Sequence, residues 1–279
     1  MVIFFKQLSK GISDYGAAIR FIRKNKLTWF YAVPIVLNIL LFAGGLALIS
    51  GFSEYLQGEA LNASNLDNAN FYGSEILSFL LAGIIWLALK IIFFFVFAYT
   101  GGYIILIIMS PVLAYLSEKT EKIISGQDYP FNIKQLMRDV VRAILIAIRN
   151  LFAQLLVVLL ILIIGLLPIV GQIIGILSPL LLIIIAAYFY GFSFTDYVNE
   201  RQKLSVKDSI RFMKNNRGII TGNGLPFAIV LLIPFFGLLL SGFIAIIAVV
   251  ASVISVKEIT PQNPIQNKKF DQKTHLLND

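Results

Sequence analysis

Residues 150–195 read NLFAQ LLVVL LILII GLLPI VGQII GILSP LLLII IAAYF YGFSF T. No Asp, Glu, Lys or Arg interrupts them, and they run far past the ~20 apolar residues a helix needs to cross a bilayer core. The run begins directly after Arg149 and ends directly before Asp196. Beyond it lie Arg201, Lys203, Lys207, Arg211, Lys214 and Arg217. Cationic loops are held on the cytoplasmic side of a membrane, so a segment with cations at both ends must enter and return on one side. The run reads as a helical hairpin that turns at Pro168 and Gly171, where proline breaks the helical ladder and glycine permits the turn.

Residues 218–256 repeat this arrangement between Arg217 and Lys257. Within them Pro234-Phe-Phe-Gly237-Leu-Leu-Leu-Ser241 matches Pro168-Ile-Val-Gly171-Gln-Ile-Ile-Gly175. The small residue four places after each turn glycine is expected to let helices approach closely. The ascending limbs, 150–167 and 218–233, are only about 24–27 Å long as helices against a core of about 30 Å. Both hairpins are therefore expected to penetrate the bilayer only in part.

Toward the N-terminus the same charge logic sets two full crossings. Residues 1–28 carry Lys6, Lys10, Arg20, Arg23, Lys24 and Lys26 against one acid, Asp14, and are expected to stay cytoplasmic. Phe5, Leu8, Ile12, Tyr15, Ile19 and Ile22 recur at helical spacing, which predicts an amphipathic helix lying along the interface or packed on the protein's own loops. Span 1 covers 28–52. Residues 53–75 hold Glu54, Glu59, Asp67 and Glu75 with no cation, as an outer loop should. Span 2 covers 76–116, with its helix continuing into the cytoplasm. A turn at Thr100-Gly101-Gly102 would instead put the cations of residues 119–149 outside. Residues 258–279 read as a disordered cytoplasmic tail.

The chain is thus an all-α integral membrane protein with two long transmembrane helices, two partly inserted hairpins and amphipathic cytoplasmic helices. Its 279 residues are 58% hydrophobic and 14% charged. The net charge of +8 follows from topology, so nucleic acid is not an expected partner. There is no Cys, and the one His, His275, sits in the tail. A His-based triad, a thiolate site and a His-rich metal site are excluded. No Walker-type phosphate loop occurs. Neither enzymatic activity nor a cofactor is expected.

Polar groups within or beside the apolar runs are the functional candidates. Lys90 is the lone cation in an apolar stretch, either functional or snorkelling to an interface. In residues 132–149, Ile133, Leu136, Val140, Ile144 and Ala147 make one helical face and Lys134, Arg138, Arg142 and Arg149 the other. That basic face either meets anionic lipid headgroups or forms a vestibule that concentrates an anion near a pore. Gln154, Gln172, Ser178 and Asn223 are expected to bond between helices or to line a pore. Asp196 with Arg201 and Glu118 with Lys122 are helix-spaced pairs or near-pairs expected to stabilise cytoplasmic ends.

Several features in order resemble the CysZ-type sulfate permease family within the etoposide-induced-protein superfamily. They are Gly11; Leu27, Pro34 and Asn38; Ser110-Pro111, Leu116-Ser117-Glu118-Lys119, Glu121 and Gly126; Pro168 and Gly171; Asp196-Tyr197; Asn216-Arg217 and Gly222. The resemblance covers about residues 8–258. It implies a bacterial inner-membrane protein with two spanning helices and two half-inserted hairpins, homo-oligomer formation, and passive or ion-coupled passage of sulfate. The family's sulfate-binding segment reads Gly-Leu-Arg, often with a second Arg. Aligned on Pro34, this chain has Lys26-Leu27-Thr28-Trp29, so the forked donor of arginine is missing. Lys24, Lys26, Leu27 and Thr28 remain as anion-binding candidates.

The expected function is a channel or permease for a small inorganic anion, sulfate by resemblance. The alternative is a non-transporting membrane-shaping or scaffold protein whose hairpins wedge one leaflet and whose basic helix binds anionic lipid. Membrane lipids are expected partners either way.

Overall fold

In lipid every backbone polar group must be satisfied within its own segment or by a neighbour, so the apolar runs have little choice but helix. The computed structural model describes residues 2–40, 74–126, 132–168, 170–233 and 236–259, with backbone alone over 74–99 and at 170. Helix α1 spans Val2–Lys24, followed by a 3₁₀ turn at Thr28–Tyr31 and by α2, residues 32–40. Then come α3 (Ser74–Ser125), α4 (Ile133–Gly165), α5 (Val170–Arg201), α6 (Val206–Asn215), α7 (Arg217–Leu231) and α8 (Phe236–Ile259). Among the described residues there is no strand. Among the described residues four helices are long and apolar enough to cross a membrane: Thr100–Ser125, Ile133–Gly165, Gly171–Arg201 and Phe236–Ile259. The all-α membrane class is therefore present.

The chain divides into two units. Ala32–Gly102 forms one, described as helix at 32–40 and 74–102. Met1–Tyr31 with Tyr103–Asp279 forms the other, which holds α1, the second part of α3 and α4 to α8. The later part of span 1, most of the outer loop, Pro234, the Lys90 side chain and the tail from 260 lie outside the described residues.

One helix runs on as the charge pattern favoured, and another is longer than it suggested. Residues 100–102 are helical, so no turn forms at Thr100-Gly101-Gly102. The basic helix 132–149 and the apolar limb 150–165 are one 33-residue helix, α4. Nothing between them breaks the ladder. Asn132 caps its start, its side chain accepting from the backbone N–H of Lys134 at 3.0 Å and of Gln135 at 3.3 Å. At the other end Pro168 lies in the turn to α5, and Gly171 N–H donates to Leu167 O at 2.8 Å. A Cβ at Gly171 would overlap the Gly165 carbonyl. Gly237 meets the Val230 carbonyl in the same way. The repeat does not extend further, because Gly175 faces open space while Ser241 is buried.

Apolar burial drives little association between helices in lipid, so close packing must do it. Helices α5 and α7 meet backbone to backbone at Gly191 and Gly224. Aromatic rings fill the space around that crossing. Tyr190 lies 4.8 Å from Tyr103 and 4.8 Å from Phe227, and Phe194 lies 5.1 Å from Phe227, between ring centres. Tyr103 also donates to Gln154 Oε1 at 2.6 Å, which ties α3 to α4. Helix α8 contributes Ala245, Ala248, Val249, Ala251 and Val253, all fully buried.

Helix α1 packs on α7 and α8. Its buried face is Gly11, Asp14, Tyr15, Ala18 and Ile22. That face differs from the predicted apolar stripe: Phe5 and Ile12 are exposed, and Gly11 sits against the backbone of Gly222. Tyr15 and Ile22 of the predicted stripe are buried, and the small or polar Gly11, Asp14 and Ala18 complete the side that meets the protein.

Candidate functional site

The charged ends of α4 and α5 converge on Arg142. Asp196 and Glu200 are one turn apart and share a face of α5. Arg142 Nε donates to Asp196 Oδ2 at 2.9 Å and Nη2 to Oδ1 at 3.1 Å, a two-pronged grip only a guanidinium provides. Nη1 donates to Leu204 O at 2.7 Å and Nη2 to Ser209 Oγ at 2.9 Å. Glu200 lies 3.7 Å away. Nearby, buried Asp139 accepts from Gln135 Nε2 at 2.6 Å. Arg142 thereby joins α4, α5 and α6.

The predicted Asp196–Arg201 pair does not form. Five residues apart, the two side chains point about 140° apart around the helix and face different neighbours. Arg201 turns to α3, donating Nη2 to Ala114 O at 2.7 Å, with Nε 3.8 Å from Glu121 Oε2. Several buried polar atoms near these helix ends have no hydrogen-bond partner among the described residues. They are Arg201 Nε and Nη1, Glu121 Oε2, Ser117 Oγ, Thr195 Oγ1 and both amide atoms of Asn199.

Arg138, Arg142 and Arg149 come together along one groove of about 530 Å³. Met137, Val141, Leu145 and Ile146 of α4 and Val206 of α6 line the rest. Arg138 is exposed and donates Nη2 to Gln135 Oε1 at 2.6 Å. Arg149 donates to Asn150 Oδ1 at 3.1 Å and lies 5.1 Å over the Phe192 ring. Asn223 is elsewhere, buried between α1, α7 and α8. Its carbonyl accepts from Tyr15 Oη at 2.5 Å, and Oδ1 accepts from Ser255 Oγ at 3.2 Å. Ser255 donates also to Asp14 Oδ2 at 2.5 Å, and Lys10 bridges Asp14 to Glu258. Burial pushes the Tyr15 phenol well above its ordinary range, so it remains a donor. Asp14 was visible only as the lone acid among N-terminal cations. Its spacing with Tyr15 and Ala18 was the available signal that it faces inward.

Helix α1 ends in a tight cap. Leu27 N–H donates to Ile22 O at 2.9 Å and Lys26 N–H to Arg23 O at 3.3 Å, with Lys26 in the left-handed region at φ 54°. The Leu27 amide is thus committed and its side chain buried. Lys24, Lys26 and Thr28 are exposed. Trp29 stacks on Phe30 at 3.9 Å, and Lys119 of α3 holds its ammonium 5.9 Å from the Trp29 ring centre. Lys119 is a cation at this turn that sequence spacing did not place there.

Four apolar helices of bilayer length define the class: a multi-pass α-helical membrane protein. The family model described as sulfate transporter CysZ/etoposide-induced protein 2.4 matches residues 15–241, and the chain belongs to that family. No curated protein matches it. Lys26, standing where the resemblance puts a glycine, keeps a backbone conformation that suits glycine.

Proposed function

We propose that the chain is an oligomeric inner-membrane channel or permease for a small inorganic anion, with sulfate the favoured cargo because of the family. Family membership supports transport. The observation that carries a route through this chain is Arg201, whose Nε and Nη1 are buried without a hydrogen bond among the described residues, Nε lying 3.8 Å from Glu121 Oε2. Buried donors of that kind call for water or an ion, and Arg201 stands at the cytoplasmic end of α5, where an anion would enter or leave. In this reading the hairpins α4–α5 and α7–α8 enter the bilayer from the cytoplasmic side, where both termini lie. Lys119, with Lys24, Lys26 and Thr28, supplies the attraction that the family's arginines otherwise give. Lys90 remains a candidate within the path.

Flux of labelled sulfate into liposomes tests this. Wild-type protein should pass sulfate, and Ser117→Ala, a mild change, should alter the rate with the fold intact. No flux of sulfate, sulfite, thiosulfate or chloride would remove the proposal. The exposed apolar side of α4 favours a second reading, a membrane-shaping scaffold. Lipid tubulation without any flux would support it.

A further inference from the structure

Helix α4 carries an apolar stripe that the protein leaves uncovered. Met137, Val141, Leu145, Phe152, Leu156 and Ile163 recur at four- and seven-residue steps, and each is more than half exposed. The stripe is about 39 Å long at 1.5 Å per residue, longer than the ~30 Å hydrocarbon core. One edge of its first half is a row of arginines. Arg142 is held by Asp196, Leu204 and Ser209, but among the described residues Arg138 and Arg149 hydrogen-bond only to the amides of Gln135 and Asn150 and keep most of their five N–H donors. Neither has a carboxylate partner among the described residues.

We propose that this groove binds anionic phospholipid, with phosphates on Arg138 and Arg149 and acyl chains along the α4 stripe. The observation favouring a lipid over a free oxyanion is the groove wall. Between the outer guanidiniums it is Met137, Val141, Leu145, Ile146 and Val206, with Arg142, four of whose five N–H donors are committed to Asp196, Leu204 and Ser209, so it offers little to the remaining oxygens of an inorganic anion. A phosphodiester places its charge on the arginine edge and its chains on the apolar wall, so both halves are satisfied. The two guanidiniums are about 16 Å apart along the helix, too far for one phosphate, so each takes its own headgroup. Because the stripe exceeds the core, α4 meets the bilayer at a slant. Its first half then runs along the headgroup layer.

The test is native mass spectrometry and thermal unfolding of the full chain in detergent, with added phosphatidylglycerol, phosphatidylcholine or inorganic phosphate. Phosphatidylglycerol should be retained and should raise the melting temperature, while the other two should do neither. Arg138→Gln and Arg149→Gln should each weaken retention about fivefold, as expected for one cation near a lipid surface. Arg138→Gln is the cleaner variant, because among the described residues Arg138 bonds to Gln135 alone, one turn away. Equal binding of phosphatidylcholine, equal stabilisation by phosphate alone, or unchanged retention in both variants would overturn the proposal. So would cross-linking that shows the stripe covered by a second copy with no lipid retained. None of these readouts involves flux, so the outcome is separate from the transport proposal.

Discussion

Gly191 and Gly224 allow α5 and α7 to touch backbone to backbone: a Cβ on Gly224 would overlap the Ala187 carbonyl, and one on Gly191 the Ile220 carbonyl. Both clashes are with main chain, which cannot rotate aside. Gly191→Ala and Gly224→Ala should therefore each destabilise the protein by about 1–3 kcal/mol. Gly175→Ala, at a glycine facing open space, should be neutral or slightly stabilising in a helix. Thermal unfolding in one detergent separates the three. Equal melting temperatures for Gly224→Ala and Gly175→Ala would contradict the packing.

The Arg142–Asp196 contact makes a second contrast. Asp196 is 2% exposed and receives two bonds from one guanidinium. Removing one partner leaves a buried charge alone, which costs about 3–5 kcal/mol. Asp196→Asn and Arg142→Gln should each approach that loss, and the double variant should fall well short of their sum. An Arg142 that acted only on a permeating anion would give the opposite pattern, with flux lost and stability kept. Unfolding curves of the two single variants and the double decide it.

The membrane class and the approximate helix positions were legible because they depend on where charge is absent, and residues 150–195 contain none. Partner choice was not legible, since it depends on angles around helices. Asp196 and Arg201 looked paired by spacing, yet they diverge to α4 and α3. Asp14 was visible as an isolated acid, but its partner Ser255 lies 241 positions away, beyond any local pattern. Lys119 belongs to the Leu116-Ser117-Glu118-Lys119 motif and gains its place only when α3 brings it to Trp29. The arginine row on α4 was legible as a face. Its division into a held Arg142 and two open neighbours required α5 and α6.

The Lys10 clasp predicts a particular pH dependence. Burial lowers the Lys10 amine, but hydrogen bonds to Asp14 and Glu258 outweigh it and hold the amine above its ordinary 10.5. A raised folded value means the stabilisation is complete below 10.5 and is lost as pH rises through the folded value. The melting-temperature difference between wild type and Lys10→Met should therefore stay constant from neutral pH to about 10 and shrink only above it. A difference that faded near pH 7 would show that Lys10 is not clasped.

Lys26 gives the last prediction. It caps α1 at φ 54°, where an L side chain is strained and glycine is not. Lys26→Gly should stabilise the chain by roughly 0.5–1 kcal/mol, although it removes a cation. If Lys26 also attracts the anion, the same variant should lower sulfate flux while raising the melting temperature. Lys119→Gln should lower flux without stabilising, because Lys119 carries charge beside Trp29 and does not cap α1. Opposite signs in stability and flux for Lys26→Gly would separate its backbone role from its charge. A rise in both would leave Lys119 as the cation that matters at this turn.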